Sequence, residues 1–136
     1  MKELLLDANV LVRFLTRDDP KQGPAATALF EQAERCEVTL HWDGLVVAEV
    51  VYVLIGRYER SRAEVVDTLL AVIQNAGVET LEAGIVTDAL HRFGALNVEF
   101  ADAWLAARSA HGGRAVVSFD RDFDKFKDVK WVEPTS

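Results

Sequence analysis

Cysteine is almost missing from this chain: among 136 residues only Cys36 carries a thiol. A lone cysteine closes no internal disulfide. Arg35 and Glu37 flank it, with no histidine or second cysteine at ligand spacing, so the expectation is a semi-buried thiol in a reducing compartment. Long apolar runs are missing too. None approaches the roughly 18 residues that span a bilayer, and the opening Leu4-Leu5-Leu6 stops at Asp7, too short for a signal peptide. A cytoplasmic protein with no membrane contact is therefore expected. There is no Gly-rich phosphate loop and no Gly-x-Ser-x-Gly elbow, which sets aside the P-loop and serine-hydrolase chemistries. His41, His91 and His111 lack zinc spacing and read as surface or strand-end residues. Basic charge is also scarce, 15 Lys and Arg against 22 Asp and Glu, for a net −7. That argues against the basic face of a sequence-reading nucleic-acid binder. It is compatible with carboxylates gathered around a divalent cation.

Half of the residues are apolar, enough for one core, and the length fits a single domain over residues 1–136. Short apolar runs at 4–6, 38–40, 78–81, 115–118 and 130–132 read as strands. Helical spacing predicts helices over 9–16, 25–35, 45–58, 83–93 and 99–110, and Ser61-Arg62-Ala63-Glu64 is a capping box opening another. Ala25, Leu29 and Ala33 are expected on one helix face; Val65, Leu69, Val72 and Ile73 on another. Asp18-Asp19-Pro20 and Gly112-Gly113 read as helix stops, and 120–126 as a turn with a short helix. Strands alternating with helices predict an α/β fold with a mainly parallel central sheet, helices on both faces, and a site at the carboxyl ends of the strands.

Four acids draw attention. Asp7 and Asp120 each follow an apolar strand; the plain alternative is that each caps a helix. Glu49 is the only charge in Leu45-Val46-Val47-Ala48-Glu49-Val50-Val51-Tyr52-Val53-Leu54, a run expected to be largely buried. Asp102 sits beside the apolar stripe of Phe100, Ala103, Trp104 and Ala107. A carboxylate on apolar surface is costly unless paired or metal-bound; an arginine partner or an exposed helix face is the alternative for both. Hard divalent cations take oxygen ligands, and carboxylates converging on one or two ions suit phosphodiester hydrolysis.

These residues resemble a family. Leu4 to Leu15, an apolar strand followed by Asp7-Ala8-Asn9, is similar to the opening motif of PIN-domain nucleases. Val47-Ala48-Glu49-Val50 resembles their internal glutamate helix, Glu99-Phe100-Ala101-Asp102-Ala103 their third acidic motif, and Ser118-Phe119-Asp120-Arg121-Asp122-Phe123 their closing motif. The ordered set spans nearly the whole chain, and its length and style resemble the VapC-type toxin ribonucleases of toxin–antitoxin pairs. The resemblance implies that Asp7, Glu49, Asp102 and Asp120 form a catalytic site binding Mg2+ or Mn2+. Asn9 would brace Asp7 by hydrogen bonding, and Ser118 would orient the last acid or a metal-bound water. Glu99 stands where many relatives carry another aspartate. Asp122 reads as a peripheral ligand or, in preference, the cap of the short helix. The resemblance further implies RNA as substrate, a homodimer, and silencing by a small antitoxin protein.

Basic residues follow the acidic motifs: Arg13 and Arg17, then Arg57, Arg60 and Arg62, then Arg121, Lys125 and Lys127. They are candidate phosphate contacts, with Arg13 expected nearest the scissile phosphate. Trp42, Trp104 and Trp131 are candidate base stackers, although Trp104 lies on a packing stripe. The apolar stripe Val65, Val66, Leu69 and Leu70 is a candidate surface for self-association or antitoxin contact. Other readings remain beside the toxin ribonuclease: a free-standing RNA-processing nuclease, a non-catalytic metal- or RNA-binding module, and an aspartyl-phosphate phosphotransferase. The last wants Asp-x-Asp where this chain has Asn9.

Overall fold

The computed structural model describes residues 2–135. They form two compact units, Met1–Ala83 and Gly84–Ser136.

In the first unit, three parallel strands, β1 (Lys2–Leu5), β2 (Val38–Trp42) and β3 (Val78–Thr80), pair in the order β1-β2-β3. Leu4 pairs with Leu40, and Leu40 with Val78. Along β2, Val38, Leu40 and Trp42 are buried while Thr39 and His41 are half-exposed, the two-residue period of a strand with one face on a core. Helix α1 (Ala8–Thr16) starts at Asp7, whose carboxylate accepts the Ala8 N–H, and ends at Arg17 in the left-handed conformation. It stops ahead of Asp18-Asp19-Pro20, as expected.

Helix α2 (Gln22–Glu34) begins three residues earlier than its periodicity suggested. Asp19 accepts the N–H groups of Lys21 and Gln22, and Pro24 is tolerated because it lies in the first turn. Its inner face is Gly23, Ala26, Phe30 and Ala33. Ala25 is exposed, so the expected stripe through Ala25 and Leu29 is rotated by one residue. Phe30 stacks on Phe14 with centroids 4.1 Å apart.

Helix α3 (Gly44–Gly56) is capped by Asp43, which accepts from Leu45 and Val46 N–H. Val47, Val50, Val51 and Leu54 are buried. That spacing makes one stripe rather than a fully buried cylinder. Each such side chain contributes roughly 1.5–3 kcal/mol by leaving water. Helix α4 (Arg62–Gln74) opens with the expected capping box of Ser61 and Glu64. Val65, Val66, Leu69 and Val72 are all buried, whereas Ile73 is only half-buried. Of the stripe proposed for self-association or antitoxin contact, Val65, Val66 and Leu69 are therefore core residues, and Leu70 alone is half-buried. Gly77 has φ +78°, and a Cβ there would lie 2.3 Å from the Ala33 carbonyl oxygen, so no other residue fits.

In the second unit, helices α5 (Ala83–Ala95) and α6 (Phe100–Gly112) precede β4 (Val116–Val117), a 3₁₀ turn (Arg121–Lys125) and β5 (Trp131–Val132). Val116 pairs in parallel with Trp131. The α/β class and parallel pairing are as expected, with the ladders divided three and two between the units. Helix α6 buries Phe100, Ala103, Ala106 and Ala107, and Gly113 ends it at φ +75°. Arg92 on α5 lies 3.0 Å from Asp88 and forks onto both oxygens of Asp128 at 2.8 and 2.5 Å. His111 reaches Asp88 at 3.0 Å. No helix among the described residues is long and apolar enough to cross a membrane. Cys36 is exposed rather than semi-buried. It sits in the turn after α2 with φ +61°.

Candidate metal centre

The acids of the second unit stand at helix starts. Asp102 lies in the first turn of α6, its N–H donating to the Glu99 carbonyl at 3.1 Å. Asp120 caps the 3₁₀ turn, its carboxylate accepting the Asp122 N–H at 2.8 Å. The Asp120 N–H donates in turn to Ser118 Oγ at 2.9 Å. Ser118 Oγ therefore holds the backbone of this acid. The cap expected of Asp122 belongs to Asp120, because the turn starts at Arg121, two residues earlier than that expectation required.

Asp102, Asp120 and Asp122 each bring a carboxylate oxygen within 4.8 Å of the others. Oxygens around one octahedral Mg2+ lie roughly 3 to 4 Å apart, given ligand distances of about 2.0–2.1 Å. Three carboxylates set this close supply the oxygen donors that such an ion takes, so the residues fit a hard divalent cation. The electrostatics agree. The Asp102 carboxyl is pushed above the usual aspartate range, first by burial, then by the charges of Asp120, Asp122 and Glu99. Each of these causes raises the cost of its anion, and a bound cation would relieve it. Glu99 contributes through this field from an exposed position at the start of α6, where its side chain makes no capping bond. One cation is near: Lys125 Nζ lies 3.2 Å from Asp122 and donates to the Asn97 carbonyl at 2.9 Å.

The other two expected acids belong to the first unit. Asp7 is exposed at the end of β1 and caps α1, the alternative weighed for it. Asn9 is exposed. Among the described residues Asp7 has its hydrogen bond from Ala8 N–H, at 2.8 Å, and none from Asn9. Glu49 is exposed, which corrects its expected burial: the α3 stripe turns Val47, Val50 and Val51 inward and leaves Glu49 on the opposite side. Asn9, Arg13 and Glu49 are brought together, lining a cleft of about 320 Å3 between α1 and α3 with Tyr52, Arg57 and Tyr58. Arg13 is held in it by Gln22 Oε1 at 2.9 Å, by the Tyr58 hydroxyl at 3.4 Å and by Asp18 at 3.7 Å. Tyr52 escaped the sequence reading. Its signal was the three-residue spacing from Glu49, which puts both on one helix face.

Other candidates are engaged elsewhere. Arg121 lies 3.7 Å from Asp124 and 3.8 Å from Glu133. Trp42 is buried and donates to Thr80 Oγ1 at 2.5 Å, which removes it as a base stacker. Trp131 donates to Asp124 at 2.9 Å, and Trp104 is half-buried with Arg108 at 5.9 Å from its ring.

Comparison with known proteins bears on this arrangement. A family model described as "PIN domain" matches residues 4–129, across both units, and the chain belongs to that family. PIN domains are generally nucleases. No curated protein matches the chain. Among solved structures, one similar chain comes from the crystal structure of VapBC2 from Rickettsia felis bound to a DNA fragment from their promoter. It is 12% identical, with 98% of each chain covered and a TM-score of 0.37, a likeness too low to build on.

Proposed function

We propose that the protein is a metal-dependent endoribonuclease, the toxin component of a VapBC-type toxin–antitoxin pair, hydrolysing RNA phosphodiester bonds with Mg2+ or Mn2+. The observation that carries the proposal is the Asp102, Asp120 and Asp122 cluster in a chain of the PIN family. A divalent cation held by these carboxylates would supply charge neutralisation at a phosphodiester. The residues prepare for it. Ser118 fixes Asp120 through its backbone, Asp120 fixes Asp122, and burial with crowding keeps Asp102 short of positive charge. Asp7 and Glu49 are the catalytic acids of the first unit in this reading, with Asn9 beside them and Arg13 contacting phosphate. The protein would act in the cytoplasm as a homodimer restrained by a small antitoxin protein. The exposed lone thiol of Cys36 supports a reducing compartment.

The test is cleavage of a panel of labelled RNAs by the antitoxin-free protein in Mg2+, in Mn2+ and in chelator, beside Asp102→Asn. Metal-dependent cleavage abolished by the substitution is expected. Cleavage that survives both chelator and Asp102→Asn would sink the carboxylate mechanism. Metal binding without cleavage of any RNA would favour a binding module.

A further inference from the structure

The α1–α3 cleft of the first unit has the makings of a nucleotide subsite. Two helix faces meet there. Asn9, Val12 and Arg13 come from α1, at spacings of three and four; Glu49, Tyr52 and Val53 come from α3 at the same spacings, followed by Arg57 at its end. The cleft, at about 320 Å3, is at the small end of ligand cavities, roughly 300–1,000 Å3. That size suits one nucleotide.

Its chemistry is divided. Tyr52 is an aromatic with 80% of its surface exposed, on a helix that has ample buried positions for apolar side chains. An exposed aromatic ring with guanidinium groups beside it is the pairing that single-stranded nucleic acid uses: the ring stacks a base and the cations take phosphate. Arg13 is aimed by three partners, from Gln22, Tyr58 and Asp18. Arg57 is exposed, with its guanidinium carbon 5.9 Å from the Tyr58 ring centroid. Both cations thus reach Tyr58, Arg13 at its hydroxyl and Arg57 near its ring, and both line the same cleft as Tyr52; Glu49 stands one helical turn before Tyr52.

We propose that this cleft binds one unpaired nucleotide of the RNA substrate, its base stacked on Tyr52 and its phosphates taken by Arg57 and Arg13. The proposal deepens the nuclease reading and rests on it for the identity of the strand. Stacking on a tyrosine face tolerates any base, so this subsite demands an unpaired nucleotide and sets little sequence preference.

The test uses full-length protein in the Asp102→Asn background, so that RNA survives, with a fluorescein-labelled 12-nucleotide single strand of mixed sequence in Mg2+. Anisotropy titration should show Tyr52→Ala weakening binding roughly 5- to 100-fold, with Tyr52→Phe within about twofold of its parent. Arg57→Ala should lower the slope of log affinity against log salt by roughly 0.7, one phosphate contact on a single strand. Because Tyr52 and Arg57 are exposed, circular dichroism melts should match the parent. Equal binding by Tyr52→Ala and its parent overturns the proposal and points to a protein ligand for the cleft. An unchanged salt slope for Arg57→Ala overturns the phosphate contact. Cleavage by the unsubstituted protein is scored separately. If it cuts no RNA while both variants weaken binding as expected, the nuclease reading fails and the subsite stands.

Discussion

Within the second unit two groups of acids stand in opposite electrostatic states. Around Arg92, Asp88 and Asp128 share one guanidinium, and His111 joins Asp88. The Asp128 carboxyl is held below its usual range, foremost by its hydrogen bond from Arg92, while Arg92 itself is pushed up. Around Asp102 every cause runs the other way: burial and three neighbouring acids raise it. Counting carboxylates does not separate these clusters, since each is acidic and close-set. What separates them is where the chain's own cation sits. Around Arg92 one guanidinium lies between the carboxylates, and the cluster is neutralised from within. In the second, Lys125 reaches Asp122 at the edge, while Asp102 stays half-buried among acids that raise it, the condition expected of a functional site.

The comparison can be broken by mutation. The largest effect is expected for Asp102→Asn, which should reduce metal-dependent RNA cleavage by at least about 100-fold while the protein still folds, read by cleavage rate beside a thermal melt. An asparagine removes the charge from a place that penalises it, so a large loss of stability there would contradict the contrast. Next, Mg2+ at 100 times its dissociation constant should stabilise the unsubstituted protein by about 2.7 kcal/mol, and Asp102→Asn should forfeit most of that, read as a shift in melting temperature. Third, Arg92→Met should cost about 2 kcal/mol of stability, discounted for the exposure of Asp128, and leave the cleavage rate of the folded protein intact. A loss of cleavage without loss of stability would mean that the two clusters are not separate in function.

Acid sharpens the same contrast through its sign. Asp128 has a lowered pKa in the folded chain, so its contribution is present above the unfolded value and is lost as pH falls through the folded one. Asp102 has a raised pKa, so its contribution is present below the unfolded value and is lost as pH rises through the folded one. In chelator, melts from about pH 3 to 7 should therefore lose opposite limbs in Asp128→Asn and Asp102→Asn. Metal affinity should fall with acidification through the raised Asp102 value, at higher pH than an ordinary aspartate would give. The smallest effect is expected for Arg13→Ala: a uniform weakening of RNA binding and a salt slope lower by roughly 0.7. Unchanged cleavage and binding would remove Arg13 from the site.

Much of this was legible in residues that follow strands or open helices, where local rules suffice. Asp7, Asp120 and the Ser61 box stand where capping chemistry puts them, and strand–helix alternation marked the parallel α/β class. Glu49 was misjudged because apolar content was taken for burial. The helix needs only Val47, Val50, Val51 and Leu54 to make its stripe, and the far side stays in solvent. Phase misplaced Ala25 as well: α2 turns Gly23, Ala26, Phe30 and Ala33 inward, which leaves Ala25 one residue off the buried stripe. Trp42 looked available until the strand face it occupies was known. The approach of Asp122 to Asp102 depends on how the 3₁₀ turn lies against α6, a tertiary relation with no local signal.

Gly77 lends all of these experiments an internal control. Any side chain there would drive a Cβ into the Ala33 carbonyl oxygen at 2.3 Å in a left-handed backbone. Position 77 therefore works as a one-letter checksum on folding. In a randomised library sorted for intact protein it should return glycine whatever is drawn at the acids, and clones that pass it but fail to cut RNA are the ones that report on chemistry.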